Sequence, residues 1–286
     1  WNRWWATRGA IIATRGCPHV CDYCTIPVLY PNAQRMRLRP VEEVAAEVAA
    51  IPDRGIVFWD DNLGAHGEYA KSLFRAIAPL RKWWTSQTTL TSARDDEFLR
   101  LAAESGCKAL FLGLESVSQE SLTAARKGHN RGSRYRETIR RFHDHGIAVQ
   151  AGILFGFDHD TKDIFERTVE AMGEAGLDNA TVSLMVPYPG LPAYRRLEAE
   201  GRIIDHDWRH YNGKTHVVHR PRHMTPDELM AGYEWAKTKF YSPGNIFKRL
   251  AASRTGLWWN VPRNVGYMFG LTAEVRARAA LHGASK

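Results

Sequence analysis

Six apolar runs, each followed by a stretch of helical spacing, constrain the fold of this chain more than any other feature. The runs cover residues 9–15, 55–59, 85–90, 109–116, 147–157 and 180–186. Between them, residues 40–48 open on a proline with early acids, as helix N-termini do. Residues 66–82 place Tyr69, Leu73, Ile77 and Leu80 on one face, and 94–104 turn Phe98, Leu99 and Leu101 inward. Helices are also expected over 134–145, closed by Gly146, and over 162–174, closed by Gly176. Pro187-Tyr188-Pro189-Gly190 then ends the sixth run, because that sequence cannot continue a strand. Strand and helix in alternation imply a parallel sheet covered by helices, an α/β architecture. Runs this continuous suggest strands buried on both faces. Polar residues gather where the strands end, at Arg15, Asp60 and Asp61, Glu115 and Ser116, and Asp158. Ligands of parallel sheets bind at that end. Alternation alone does not separate a barrel from a doubly wound sheet.

The first of these strand ends carries Cys17, Cys21 and Cys24, spaced C-x3-C-x2-C. Three thiolates on a short loop can hold three irons of a four-iron cluster and leave the fourth iron open. An open metal position is where chemistry happens. A structural zinc site with His19 as fourth ligand is the first alternative, though zinc loops usually come as two separated pairs. Three unrelated core thiols are the second, and three within eight positions argue against it. The fourth cysteine, Cys107, reads as a buried structural thiol. Four cysteines in 286 residues form no disulfide framework and suit a reducing, cytoplasmic setting. No run is long enough to span a membrane, and no signal-peptide pattern opens the chain. The length fits one large barrel with an appendage, and the start at Trp1 without an initiator Met suggests a piece of something longer.

Four segments resemble the radical S-adenosylmethionine (SAM) enzymes. Arg15-Gly16-Cys17-Pro18 with Cys21-Asp22-Tyr23-Cys24 resembles their cysteine signature. Phe58-Trp59-Asp60-Asp61-Asn62-Leu63, Gly113-Leu114-Glu115-Ser116 and Pro187–Tyr194 with Glu200-Gly201-Arg202-Ile203 are similar to the second-, fourth- and sixth-strand motifs of the cobalamin-binding branch, with Leu191 where a Thr is usual. That branch includes hopanoid methylases and the anaerobic magnesium-protoporphyrin ester cyclase. The resemblance runs over nearly the whole chain. It implies a partial (β/α)6 barrel over 1–195 and a small, mainly helical accessory domain over 196–286.

The resemblance also implies a site. Cys17, Cys21 and Cys24 would hold a [4Fe–4S] cluster, and SAM would chelate the open iron. One electron, from a flavodoxin- or ferredoxin-type donor, would cleave SAM to methionine and a 5′-deoxyadenosyl radical that attacks an unactivated carbon. Asp60 or Asp61 would meet the methionine ammonium, with strand alternation turning only one inward; the alternative is a cap on the next helix. Glu115 would meet the ribose or the ammonium, unless it is a surface salt-bridge partner. Tyr23 would lie near the adenine, Gly152 would allow close approach, and Gln87 and Gln150 would face SAM or substrate. Tyr188 is a hydrogen-donor candidate or a packing residue. Methyl transfer would involve cobalamin; members of the branch carry a cobalamin domain N-terminal to the barrel, and this chain starts just before the barrel. That domain was therefore cut away, or cobalamin is not used. Trp1, Trp4 and Trp5 would be its docking patch, or packing at the barrel bottom.

The charge excess sits at the other end. Residues 201–286 hold 14 Lys and Arg against 6 Asp and Glu, which accounts for the whole net charge of +8. From Ser242 onward basic and aromatic residues alternate, among them Phe247-Lys248-Arg249, Arg254, Trp258-Trp259, Arg263, Tyr267, Phe269, Arg276 and Arg278. Such a segment suits an anionic membrane surface and a lipid-like substrate. The same composition suits RNA, although nucleic acid is not the expected partner. A helical pair packed on the barrel is the plain alternative. His206, His210, His216, His219 and His223 lack metal-site spacing and read as surface residues.

Overall fold

The apolar runs become strands, trimmed where side chains take over the backbone hydrogen bonds. The structure, a computed structural model, describes residues 9–270 apart from 31, 33, 254 and 259. Its strands are β1 (Ala10–Ile11), β2 (Thr14–Arg15), β3 (Arg37–Leu38), β4 (Gly55–Phe58), β5 (Trp83–Thr88), β6 (Cys107–Glu115), β7 (Ala148–Phe155) and β8 (Asn179–Leu184). The helices are α1 (Ile26–Leu29), α2 (Val41–Ala50), α3 (Gly67–Ile77), α4 (Asp96–Glu104), α5 (Gln119–Ala124), α6 (Tyr135–Asp144), α7 (Ile164–Glu174), α8 (Pro192–Ala199), α9 (Pro226–Phe240) and α10 (Pro243–Ala252). Residues 260–270 are helical as well.

Six strands form one parallel sheet in the order β1-β4-β5-β6-β7-β8. The order never reverses, which excludes a doubly wound sheet, whose two halves grow outward from a switch point. Among the described residues β1 and β8 do not pair, so the barrel is partial, a (β/α)6 arrangement. Burial is one-sided, a correction to the reading from the apolar runs. Phe58, Trp84, Leu110, Leu112, Val149 and Ile153 are buried under helix residues such as Val48, Phe74, Leu99, Phe142 and Met172. The alternate residues Thr85, Gln87, Phe111, Gln150 and Thr181 are half-buried on the other face.

Two boundaries moved for identifiable reasons. The run over 9–15 breaks into β1 and β2 because the Asp60 carboxylate accepts the Ala13 and Thr14 N–H groups in place of a strand partner. Freed from the sheet, β2 pairs antiparallel with β3 instead. The fourth helix starts at Asp96, not at 94, because the Asp95 side chain caps it by accepting from Phe98 N at 3.0 Å.

The C-terminal part adds to the same core. Leu229, Tyr233, Phe240 and Leu250 belong to the cluster that underlies the sheet. Arg249, counted above with the basic surface, is only 1% exposed. Its guanidinium donates to Leu177 O at 2.8 Å, Asp178 O at 3.0 Å and Asn264 Oδ1 at 2.9 Å, and lies 3.8 Å over the Phe240 ring. Asp178 is the matching anchor, accepting from Val149 N, Ser253 Oγ, Thr255 Oγ1 and Asn260 Nδ2. The described tail is thus a packed helical pair held by buried polar groups. His219, expected at the surface, is fully buried and hydrogen-bonded to Gly156 O at 3.0 Å. The tryptophans at 1, 4, 5 and 259 and the arginines at 254, 276 and 278 lie outside the described residues.

Candidate active site at the cysteine loop

Cys17, Cys21 and Cys24 are free thiols on the loop that leaves β2, and the ends of β4 and β6 close around it. The loop is pinned from below by two carboxylates. Asp60 has no exposed surface, and its two oxygens take the Ala13 and Thr14 N–H groups. Asp61 takes Gly16 N through Oδ2 at 2.8 Å, and its Oδ1 has no protein partner among the described residues. Both acids therefore turn toward the loop backbone, where the alternating strand pattern had placed only one inward. Asn62 extends the same work: its Nδ2 lies 3.4 Å from Cys17 Sγ, and its Oδ1 accepts from Thr88 Oγ1. Gln87 donates to Asp60 O at 2.7 Å and so fixes the exit of β4 rather than facing a ligand.

Across the loop stands a buried ion pair. Lys127 Nζ lies 2.7 Å from Glu115 Oε1, with side chains 9% and 12% exposed. Glu115 is therefore no surface partner. It sits at φ +67, where the register of β6 and β7 slips. Left-handed backbone at a non-glycine residue costs on the order of 1–3 kcal/mol and persists where neighbours enforce it. Here Asn130 Nδ2 binds Gly113 O at 2.9 Å and Leu114 O at 3.2 Å, and Tyr135 Oη binds Leu114 O and Ser116 O at 2.8 Å. Gly113 lies directly beneath the pair, where a Cβ would come within 2.7 Å of Lys127 Nζ and push the pair aside.

Tyr23 packs edge-on to Phe157 at 5.6 Å, with Lys127 6.0 Å over its ring. Gly152 makes room for the Phe111 ring, 2.8 Å from where its Cβ would be. Two expected site residues lie elsewhere. Gln150 donates to Thr181 Oγ1 at 2.9 Å and accepts from Arg263, under the tail helix. Tyr188 donates to Tyr211 O at 3.0 Å and packs in a small cluster with Val186, Tyr211 and Val218. Lys127, Asn62 and Asn130 were missed. Only the polar run after α5 hinted at Lys127 and Asn130, and no spacing rule links it to the cysteines.

The donor set, three thiols on one loop, is one that can hold three irons of a four-iron cluster. Among the described residues no three His, Cys, Asp or Glu side chains converge as ligands of a single metal. His19 stacks on His129 at 4.0 Å. Burial pushes the Cys21 thiol up to about 11, while Lys127 pulls it down. A bound cluster would hold these thiols deprotonated, and Lys127 is a cation already in place beside them.

Comparison with known proteins agrees. The radical SAM superfamily profile matches residues 11–172, and a domain of unknown function, DUF4070, matches 192–265. The chain belongs to the radical SAM superfamily. Membership implies a [4Fe–4S] cluster and SAM. The chain is 28% identical over 257 residues to the bacteriochlorophyllide d C-12(1)-methyltransferase of Chlorobaculum tepidum, covering 88% of this chain and 55% of that one. It is also 28% identical to the hopanoid C-2 methylase of Rhodopseudomonas palustris, covering 84% and 46%. The structure of the radical SAM methyltransferase TsrM from Kitasatospora setae, with cobalamin and a [4Fe–4S] cluster bound, superposes with TM-score 0.60 at 22% identity, over 67% of this chain and 37% of that one. The cobalamin-dependent radical enzyme OxsB, with aqua-cobalamin and SAM bound, gives 0.59 at 14% identity, over 85% and 45%. This radical SAM chain spans about half the length of the curated relatives it matches. Among its described residues no helix is long and apolar enough to cross a membrane.

Proposed function

We propose that this chain is the radical-generating part of a cobalamin-dependent methyltransferase acting on an unactivated carbon of a hydrophobic substrate. The observation that carries the reading is the pairing of three free thiols, on the loop after β2, with a buried Lys127–Glu115 ion pair at the end of β6. Cys17, Cys21 and Cys24 would hold the cluster, which supplies the electron that cleaves SAM. Lys127 would meet the SAM carboxylate, and Asp61 Oδ1 and Glu115 would meet its ammonium. Tyr23, with Phe157 beside it, offers an apolar wall for the adenine. Methyl transfer through cobalamin rests on the relatives, named as methyltransferases and a methylase, and on the folds of TsrM and OxsB. The division at residue 195 is one of role, since the accessory part shares the core of the sheet.

Lipid contact is a further part of the proposal. Leu257, Val261, Val265 and Phe269 recur every four residues along the last helical stretch and are 53%, 42%, 36% and 66% exposed. That stripe supports a peripheral membrane contact or a lipid-like substrate.

The deciding experiment is anaerobic reconstitution. The chain is expected to take up about four irons and bleach with dithionite, and the C21A variant to do neither. Stoichiometric zinc with no iron uptake would overturn the reading.

A further inference from the structure

Beside the cysteine loop lies a cavity of about 150 Å³ walled by arginines, which nothing in the proposed chemistry uses. Arg94, Arg131, Arg134 and Arg141 line it, with Glu137 and His129. Arg141 is neutralised by Asp96. Arg94, Arg131 and Arg134 are exposed, and none makes an ion pair among the described residues. Against these three guanidiniums the wall sets one carboxylate, Glu137, so the surface keeps a net positive charge that an acidic partner would relieve.

The position of the surface says which partner. His129, on the cavity wall, stacks at 4.0 Å on His19, which lies between Cys17 and Cys21. Pro18 and Val20, on either side of His19, are exposed. The arginine surface therefore meets the cysteine loop through two aromatic rings in contact, with no intervening layer of chain. Electron transfer falls steeply with distance, so a donor must come close to this loop.

We propose that the Arg94–Arg131–Arg134 surface is the docking site of an acidic one-electron carrier protein. The inference rests on the cluster reading and goes beyond it by placing the donor. The carrier gives up one electron, and the cluster held by Cys17, Cys21 and Cys24 gains it; no bond or proton moves. Electrostatic pairing of this kind mainly sets the rate of encounter and its dependence on salt.

The test uses reconstituted protein and an acidic bacterial flavodoxin as probe, with dithionite as a small reductant that needs no docking. In the R94E/R131E/R134E variant, flavodoxin binding by calorimetry and flavodoxin-driven cluster bleaching are expected to fall at least about tenfold. Iron content and dithionite-driven bleaching should stay at the wild-type level. R209E, an exposed charge reversal on the C-terminal segment, should change nothing. Unaltered flavodoxin binding in the triple variant overturns the proposal, and so does equal slowing with both reductants. Wild-type protein that dithionite does not bleach would instead overturn the cluster reading beneath it.

Discussion

Lys127→Met separates what the buried ion pair does for the fold from what it does for the site. The pair is 2.7 Å long, and both side chains are nearly sealed. Removing the cation leaves the Glu115 carboxylate buried and uncompensated, which costs about 3–5 kcal/mol. At this chain size each kcal/mol lowers Tm by about 2 °C, so iron-free K127M should melt roughly 6–10 °C below wild type. The double variant E115Q/K127M has no orphan charge and should regain most of that loss. It should not regain SAM affinity. A lost charge-assisted contact is worth about 1.5–3 kcal/mol, so equilibrium dialysis on the iron-loaded double variant should show affinity reduced at least about tenfold. The calorimetric scans decide the first half: K127M melting with wild type, or a double variant no more stable than the single, refutes the buried-pair account. Wild-type SAM affinity in the double variant refutes the ligand role.

Two further outcomes follow from the accessory segment. Burial, with Arg202 and Arg196 adding to it, pushes the His219 imidazole down to about 4. The unfolded chain binds that proton near 6.5, so stability is full above pH 6.5 and falls toward pH 4, by up to about 3 kcal/mol; H219Q should flatten this slope in Tm measured from pH 7 to 5, and an unchanged slope would assign it elsewhere. The apolar stripe predicts co-sedimentation with phosphatidylglycerol vesicles, weakened at least about tenfold in V261D/V265D; equal binding by both proteins would remove the stripe from the interface.

The alternation of strand and helix was legible because each apolar run had enough length to outweigh its neighbours, and the cysteine spacing was legible because it is local. What escaped were contacts between segments far apart in the chain. Lys127 meets Glu115 across the short helix α5 and meets the cysteine loop only through the fold. Arg249 looked like surface charge because composition does not show that a guanidinium can be satisfied by three carbonyls, an amide and an aromatic face. Gln150 lies on the expected strand and Tyr188 in the expected turn, but the sequence did not show their partners, since their hydrogen bonds go to Thr181, Arg263 and Tyr211. The split of the first strand needed knowledge of where Asp60 points.

Asp60 also shows why residues at strand ends must be read by what their atoms already bind. A carboxylate in a radical SAM site invites assignment to the SAM ammonium, and the neighbouring Asp61 has one oxygen without a protein partner among the described residues. Asp60 retains none: burial pushes its carboxyl up, and the N–H groups of Ala13 and Thr14 hold the charged form in place. Those two bonds turn the chain out of the sheet immediately before Arg15, and that turn sets the starting direction of the loop that carries Cys17, Cys21 and Cys24. Loss of iron on changing Asp60 would thus report a displaced loop and carry no information about SAM. Asp61 is the position where the two effects separate, because its single bond to Gly16 N leaves the Ala13 and Thr14 anchors intact.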